Sequence, residues 1–263
     1  MNKMNTCIWC NLNAENIGVT FNNRAHTIPQ SLGGRFLCED ICDSCNRYFG
    51  SPYSNKIGIE TVLREAFELT RYMVFANKKK SNNYARFKSS FFKLNEKNNT
   101  FSLKQIYSVR PGFQSSIARQ FKRGLFKIFL EEYHRQCYQA FDERFNFIRE
   151  FARYDFDDYP IFYLVPKLPA LFYSEDEFIS PMLNFGEYQL KKMAEYEFYE
   201  MNIFGHGFLI PTNKAWYLNF DNYISRAKID LEPMYKKIVL IKNFHDVDFA
   251  CEFMKFEGSH WDR

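Results

Sequence analysis

The chain has 263 residues, of which 46% are hydrophobic and 25% charged, with a net charge of +4. That is apolar material enough for one large domain or two modest ones, and no run of about 18 uncharged apolar residues offers a membrane span. The opening MNKMNTCIWC lacks the apolar stretch of a secretory signal, so a cytoplasmic location is expected. In a reducing compartment seven cysteines argue against a disulfide framework.

Residues 1–56 are rich in Cys and turn formers. Over 57–76 the apolar residues Ile59, Val62, Leu63, Ala66, Phe67 and Val74 recur at helical spacing, which predicts a helix. Lys78–Lys80 and the following Ser-Asn-Asn mark a loop. Residues 84–109 read as a β-hairpin, with Phe87, Phe91 and Leu94 before the turn 95–99 and Phe101, Leu103 and Ile106 after it. Pro111-Gly112 breaks the chain. A long helix is predicted over 115–139, with Ile117, Phe121, Leu125, Ile128, Phe129 and Tyr133 inward and Arg119, Lys122, Arg123 and Lys127 outward. A shorter helix follows over 142–153. From 155 onward the pattern is mixed and mostly β. The candidate strands are Ile161–Val165, Tyr196–Ile203, Gly207–Ile210, Ala215–Phe220 and Lys237–Ile241, with a helix near 184–194. Glu257–Arg263 reads as a short tail.

Charge is distributed unevenly. Residues 81–130 hold 10 Lys/Arg against one Asp/Glu, whereas residues 131–263 hold 15 against 23. A basic middle suits a phosphate backbone and an acidic C-terminal half does not. The residues expected to share one phosphate-contacting basic face are Arg119, Lys122 and Arg123 of this middle, together with Arg24, Arg35 and Arg47. The 30 Phe and 17 Tyr are expected mainly in the core. His134 is expected on a solvated helix face, His206 in a turn between strands, and Asp155–Asp158 in a loop.

Cys7-Ile-Trp-Cys10 and Cys42-Asp-Ser-Cys45 are two C-x-x-C knuckles. Each brings two thiolates to one ion, and together they complete the closed tetrahedral set of a structural zinc. Cys38 could compete as a ligand but has no C-x-x-C partner; it, Cys137 and Cys251 are read as core. Between the knuckles lies Arg24-Ala25-His26-Thr27-Ile28-Pro29-Gln30-Ser31-Leu32-Gly33-Gly34, which suits a hairpin. After the second knuckle comes Asn46-Arg47-Tyr48-Phe49-Gly50, which opens a helix.

This arrangement resembles the HNH, or ββα-metal, nuclease superfamily, and is similar to its four-cysteine zinc branch, which includes phage junction-resolving endonucleases and small bacterial HNH proteins. The resemblance rests on Cys7, Cys10, His26, Ile28-Pro29, Leu32-Gly33-Gly34, Cys42, Cys45, Asn46 and Phe49-Gly50, about a fifth of the chain. It implies hydrolysis of a DNA phosphodiester, with His26 as general base and Asn46 as a ligand of a catalytic Mg2+ or Mn2+. The family usually carries Asp, Glu or His immediately before that histidine. Here the position is Ala25, expected to be part exposed, and Asp43, Glu39, Asp40 and Glu60 are the candidates to supply the missing carboxylate.

The expected fold class is α+β: a zinc-stapled ββα-metal module with its trailing helix (1–76), a basic hairpin and helical region (77–154), and an acidic mixed region (155–263). The leading expectation is a metal-dependent DNA endonuclease of prokaryotic or phage type, with a place in anti-phage defence. The alternatives are a zinc-containing DNA-binding protein that does not cleave, or a nuclease subunit triggered by a partner. A homodimer or a protein partner is compatible with all three.

Overall fold

The computed structural model describes residues 5–54, 56–76, 87–95, 100–105, 112–167, 183–230 and 235–247. The expected loop at Lys78–Lys80, Ile106, Cys251 and the expected tail Glu257–Arg263 lie outside these residues. No helix among the described residues is long and apolar enough to cross a membrane.

The first knuckle is a tight turn in which Cys7 N–H donates to Leu12 O at 2.8 Å and Asn11 N–H to Cys7 O at 2.8 Å. A short antiparallel ladder follows, β1 (Ala25–His26) with β2 (Leu37–Cys38), pairing Ala25 with Cys38 and His26 with Leu37. Its connection holds one 3-10 turn, Gln30–Leu32, and doubles back so tightly that a Cβ at Gly34 would lie 1.8 Å from Ile28 O. Only glycine fits there. Helix α1 (Asp43–Gly50) begins inside the second knuckle, and α2 (Ile59–Ala76) follows after a short turn. The predicted hairpin is present as β3 (Phe92–Asn95) paired with β4 (Thr100–Leu103).

Helix α3 (Phe113–Cys137) is the centre of the molecule. Its apolar side packs on α2, at a distance set by Gly124, where a Cβ would lie 2.6 Å from Leu63 Cγ. Its other side is also covered. A 3-10 turn and α4 (Asn146–Ala152) fold back on it, joined by T-shaped ring pairs of Phe126 with Phe147 and Phe151.

The C-terminal part is a four-stranded antiparallel sheet in the order β6-β7-β5-β8. Its strands are β5 (Phe162–Pro166), β6 (Phe198–Ile203), β7 (His206–Pro211) and β8 (Tyr235–Leu240). Helix α5 (Glu187–Tyr196) leads into β6, and α6 (Tyr217–Asp230) lies between β7 and β8. Side chains of a strand alternate between faces, and the alternation assigns the layers. Tyr163, Tyr199, Met201 and Phe208 face the main core with α2 and α3, whereas Phe162, Leu164, Phe198 and Leu209 face Trp216, Phe220 and Ile224 of the 216–224 segment. The main apolar cluster runs without a break from Cys7 to Val247 and includes residues of all three expected segments.

Two expectations are corrected. Residues 215–216 are a turn and 217–220 open helix α6, where a strand was expected. Trp216, Phe220, Tyr223 and Ile224 recur at helical spacing and cover the sheet; a six-residue apolar window is too short to separate the two periods. The second correction concerns the outward basic face of the long helix. Lys122 and Arg123 are buried, at 4% and 1% exposure. Arg123 donates to the carbonyls of Phe151 and Ala152 and to Tyr48 Oη. Lys122 donates to Asp158 at 2.6 Å, and Arg119, in part exposed, to Asp155 at 2.8 Å. The acidic run Asp155–Asp158 therefore neutralises this side of α3. Buried cations are tolerated when they are paired in this way.

Candidate active site

The four knuckle sulfurs meet at one point. The Sγ atoms of Cys7, Cys10, Cys42 and Cys45 all lie within 4.8 Å of one another, and those of Cys10 and Cys42 are 3.8 Å apart. A tetrahedral ion with Zn–S bonds of about 2.3 Å sets the S···S edges at about 3.8 Å, so the donor set fits a metal such as zinc. Cys38, the sequence-level competitor, is buried outside this cluster, and burial pushes its thiol well above the ordinary range. It behaves as a small core residue, as expected. Arg153 Nε donates to Cys45 Sγ at 3.2 Å; its cation offsets part of the negative charge of a four-thiolate set. Zinc held here ties the knuckle before β1 to the start of α1.

That tie brings the hairpin and α1 together. His26, half-buried, ends β1, and Asn46, half-buried, lies in the first turn of α1. Ala25 is buried at 2% exposure, not part exposed as the sequence suggested, because its side of the short ladder faces the core. The backbone of the His26 strand is anchored by a residue far along the chain. Lys127 Nζ donates to His26 O at 2.8 Å and Thr27 O at 3.3 Å. The same ammonium pairs with Glu60 Oε1 at 3.0 Å and Glu131 Oε2 at 3.0 Å. Burial lowers the His26 pKa below its ordinary value, the Lys127 ammonium and Arg24 lower it further, and Glu60 acts in the opposite direction. The shift favours the neutral imidazole, the form that can accept a proton.

The four carboxylates considered as substitutes for the one missing at Ala25 now separate. Asp43 is consumed by the loop before β1: it accepts from Thr20 Oγ1 at 2.5 Å and from the N–H groups of Asn22 and Asn23, contacts that hold its pKa below the usual range. Asp40 bonds His134 Nε2 at 2.8 Å. Glu39 is exposed on the connection after β2. Glu60 alone of the four faces the His26 strand and α1 together. Its Oε1 shares Lys127 with the His26 carbonyl, and its Oε2 would lie 3.6 Å from a Cβ at Gly50. Gly50 is four residues after Asn46, so the two share one face of α1.

Sequence reasoning missed the wall behind the site. Trp9 Nε1, within the first knuckle, donates to Glu131 Oε1 at 3.0 Å. Thr27 Oγ1 donates to Glu132, and Arg149 Nε donates to Ile8 O at 2.8 Å. His134, expected on a solvated face, is buried against Asp40. The available signal was the density of Glu, Lys and His along an otherwise apolar α3, which has no single polar stripe. Arg24, Arg35 and Arg47 are exposed around the hairpin and α1. Lys122 and Arg123 are not part of that surface.

No curated protein and no solved structure matches the chain. Residues 7–60, the stretch that holds both knuckles, His26, Asn46 and, as its last residue, Glu60, match the family model of the HNH endonucleases, so this part of the chain is similar to an HNH module.

Proposed function

We propose that the chain is a metal-dependent DNA endonuclease in which His26 is the general base. The observation that carries this reading is the half-buried His26 at the end of β1, with its strand backbone pinned by Lys127 inside a segment matching the HNH endonucleases; burial favours its neutral form. A general base must be unprotonated at working pH and held in place. The residues that would hold a divalent ion are Asn46 and Glu60, the latter standing in for the carboxylate missing at Ala25. When bound, Mg2+ or Mn2+ would supply charge stabilisation to the phosphate and leaving oxygen. The chain's own part is to orient a water against His26 Nδ1 or Nε2 and take its proton, with Lys127 fixing the strand that carries the base. Arg24, Arg35 and Arg47 would receive the flanking phosphates. A second reading, a DNA-binding protein that does not cleave, draws on Ala25.

Nicking of supercoiled plasmid with Mg2+ or Mn2+ tests the proposal. Wild type should nick, and His26→Ala should abolish nicking while zinc content is unchanged. Because the His26 pKa is lowered, the acid limb of the rate profile should fall below about pH 6.5, the ordinary imidazole value. Equal nicking by His26→Ala would remove His26 as the base. Tight DNA binding with no nicking under any metal would favour the second reading.

A further inference from the structure

The loss of the α3 basic face leaves the positive charge of the middle segment to be located. Three of its lysines, Lys88, Lys93 and Lys104, line a cleft of about 620 Å³ together with Arg64 and Arg71 of α2 and one acid, Glu65. That acid is already committed: it is 1% exposed, accepts from the N–H groups of Ser90 and Phe91, and pairs with Arg64 at 2.9 Å. Glu68, behind the cleft, pairs with Arg71 at 2.8 Å. Lys104 Nζ donates to the Ser89 carbonyl at 2.8 Å, an uncharged partner. No carboxylate among the described residues pairs with Lys88, Lys93 or Lys104, so the cleft keeps a net positive charge.

The hairpin presents these charges by its register. Lys93 pairs with Ser102, and Leu94 with Phe101. Directly paired residues share a face and alternate residues change face, so Lys93, Ser102 and Lys104 lie on one side. Phe92 and Leu94, which also border the cleft, alternate with them, and Phe92 stacks on Phe244 with ring centroids 5.9 Å apart. On α2, Glu60, Arg64 and Arg71 fall within about 40° of one another around the helix, and Arg64 and Arg71 lie about 6 Å and about 16 Å along its axis from Glu60. The cleft therefore begins one helical turn from the carboxylate beside His26 and continues away from it. The two arginines are about 10 Å apart along the helix axis.

We propose that this cleft between α2 and the β3–β4 hairpin carries the phosphate backbone of DNA as it leaves the His26 centre. The inference rests on the nuclease reading and extends it: the substrate is gripped by a surface outside the 7–60 module, built from the following helix and hairpin. Lys93 and Lys104 are exposed, so reversing their charge should leave the fold intact.

The test uses the full chain in a His26→Ala background, so that DNA is not cut, with a fluorescent duplex and binding followed by anisotropy over a series of salt concentrations. Lys93→Glu combined with Lys104→Glu should weaken binding by about tenfold or more and lower the slope of log affinity against log salt by about two, one for each lost phosphate contact. Lys191→Glu, at an exposed residue of α5 that does not line the cleft, should change neither. Unchanged affinity and slope in the double variant, with a parent that binds and a wild type that cleaves, would overturn this inference alone. A parent that binds no DNA would overturn it together with the nuclease reading. A melting temperature equal to the parent's shows that loss of binding is not loss of fold.

Discussion

Ala25 shows how much one methyl group can decide. It stands where the HNH family usually places a metal-binding side chain, yet it is 2% exposed and belongs to the main core. An aspartate there would enter the core side of the ladder, and a carboxylate without solvent or partner costs about 1–3 kcal/mol or more. Ala25→Asp is therefore expected to lower the unfolding free energy from urea titrations by that order, with part of the loss recovered on adding Mg2+ or Mn2+. An unchanged midpoint without metal would mean that the carboxylate swings out to water, as the sequence alone suggested. Glu60 reaches the same neighbourhood from α2, where its side chain keeps 27% exposure and an ammonium partner. A partly solvated acid beside the site is cheaper to hold than a buried one.

At the scale of the element, α3 is the surprise. Its apolar periodicity was legible in the sequence and placed the helix correctly. The fate of its charged residues was not, because a lysine or glutamate reads the same whether it meets water or a buried partner. Lys127 sits between two carboxylates, Glu60 and Glu131, each 3.0 Å away. One cation cannot fully compensate two anions, and burial pushes the deeper one, Glu131, up to about 7, with Lys127 and Trp9 acting against the rise. An unfolded glutamate titrates near 4.3. The folded state thus holds the Glu131 proton longer, and the stabilisation this brings is complete below about pH 4.3 and lost as pH rises through about 7. Glu131→Gln keeps an acceptor for Trp9 without the charge. Its stability relative to wild type should increase from pH 5 to pH 8 in urea titrations. A constant gap across that range would show that Glu131 is ionised throughout.

At the scale of the molecule, the zinc knuckles are stitched to helices α3 and α4. Trp9 bonds Glu131, Ile8 O accepts from Arg149, Thr27 bonds Glu132 and Cys45 receives Arg153 just past the end of α4. The apolar cluster is likewise continuous from Cys7 to Val247. Structural zinc supplies folding free energy to small modules, but here the module's inner face is completed by α3 and α4. Residues 1–76 expressed alone with zinc should surrender the metal to a chelator much faster than the full chain and give poorly dispersed amide resonances. A fragment that keeps zinc as long as the full chain would show the module to be self-sufficient. His206 makes a similar long-range link at the other end of the core, with Thr70 of α2 at 3.1 Å and Tyr163 of β5 at 3.2 Å. Burial lowers its pKa to about 4, so it is a neutral joint of sheet to helix rather than the turn residue its glycine neighbours suggested.

The sequence by itself determined the local matters: the two knuckles from their C-x-x-C spacing, the hairpin around His26 from its Pro and Gly residues, the helices α2 and α3 from their periodicity, and four of the five candidate strands. These depend on a few neighbouring residues and on chain geometry that spacing records directly. Tertiary structure alone decided which charges meet solvent. It buried Lys122, Arg123 and Lys127, assigned Asp43 and Asp40 to other partners, left Glu60 beside His26, and moved the positive surface from α3 to the hairpin lysines. The physical reason is that the cost of a charge depends on its solvent and its partners, and here the partners lie as far as 141 residues apart in the chain.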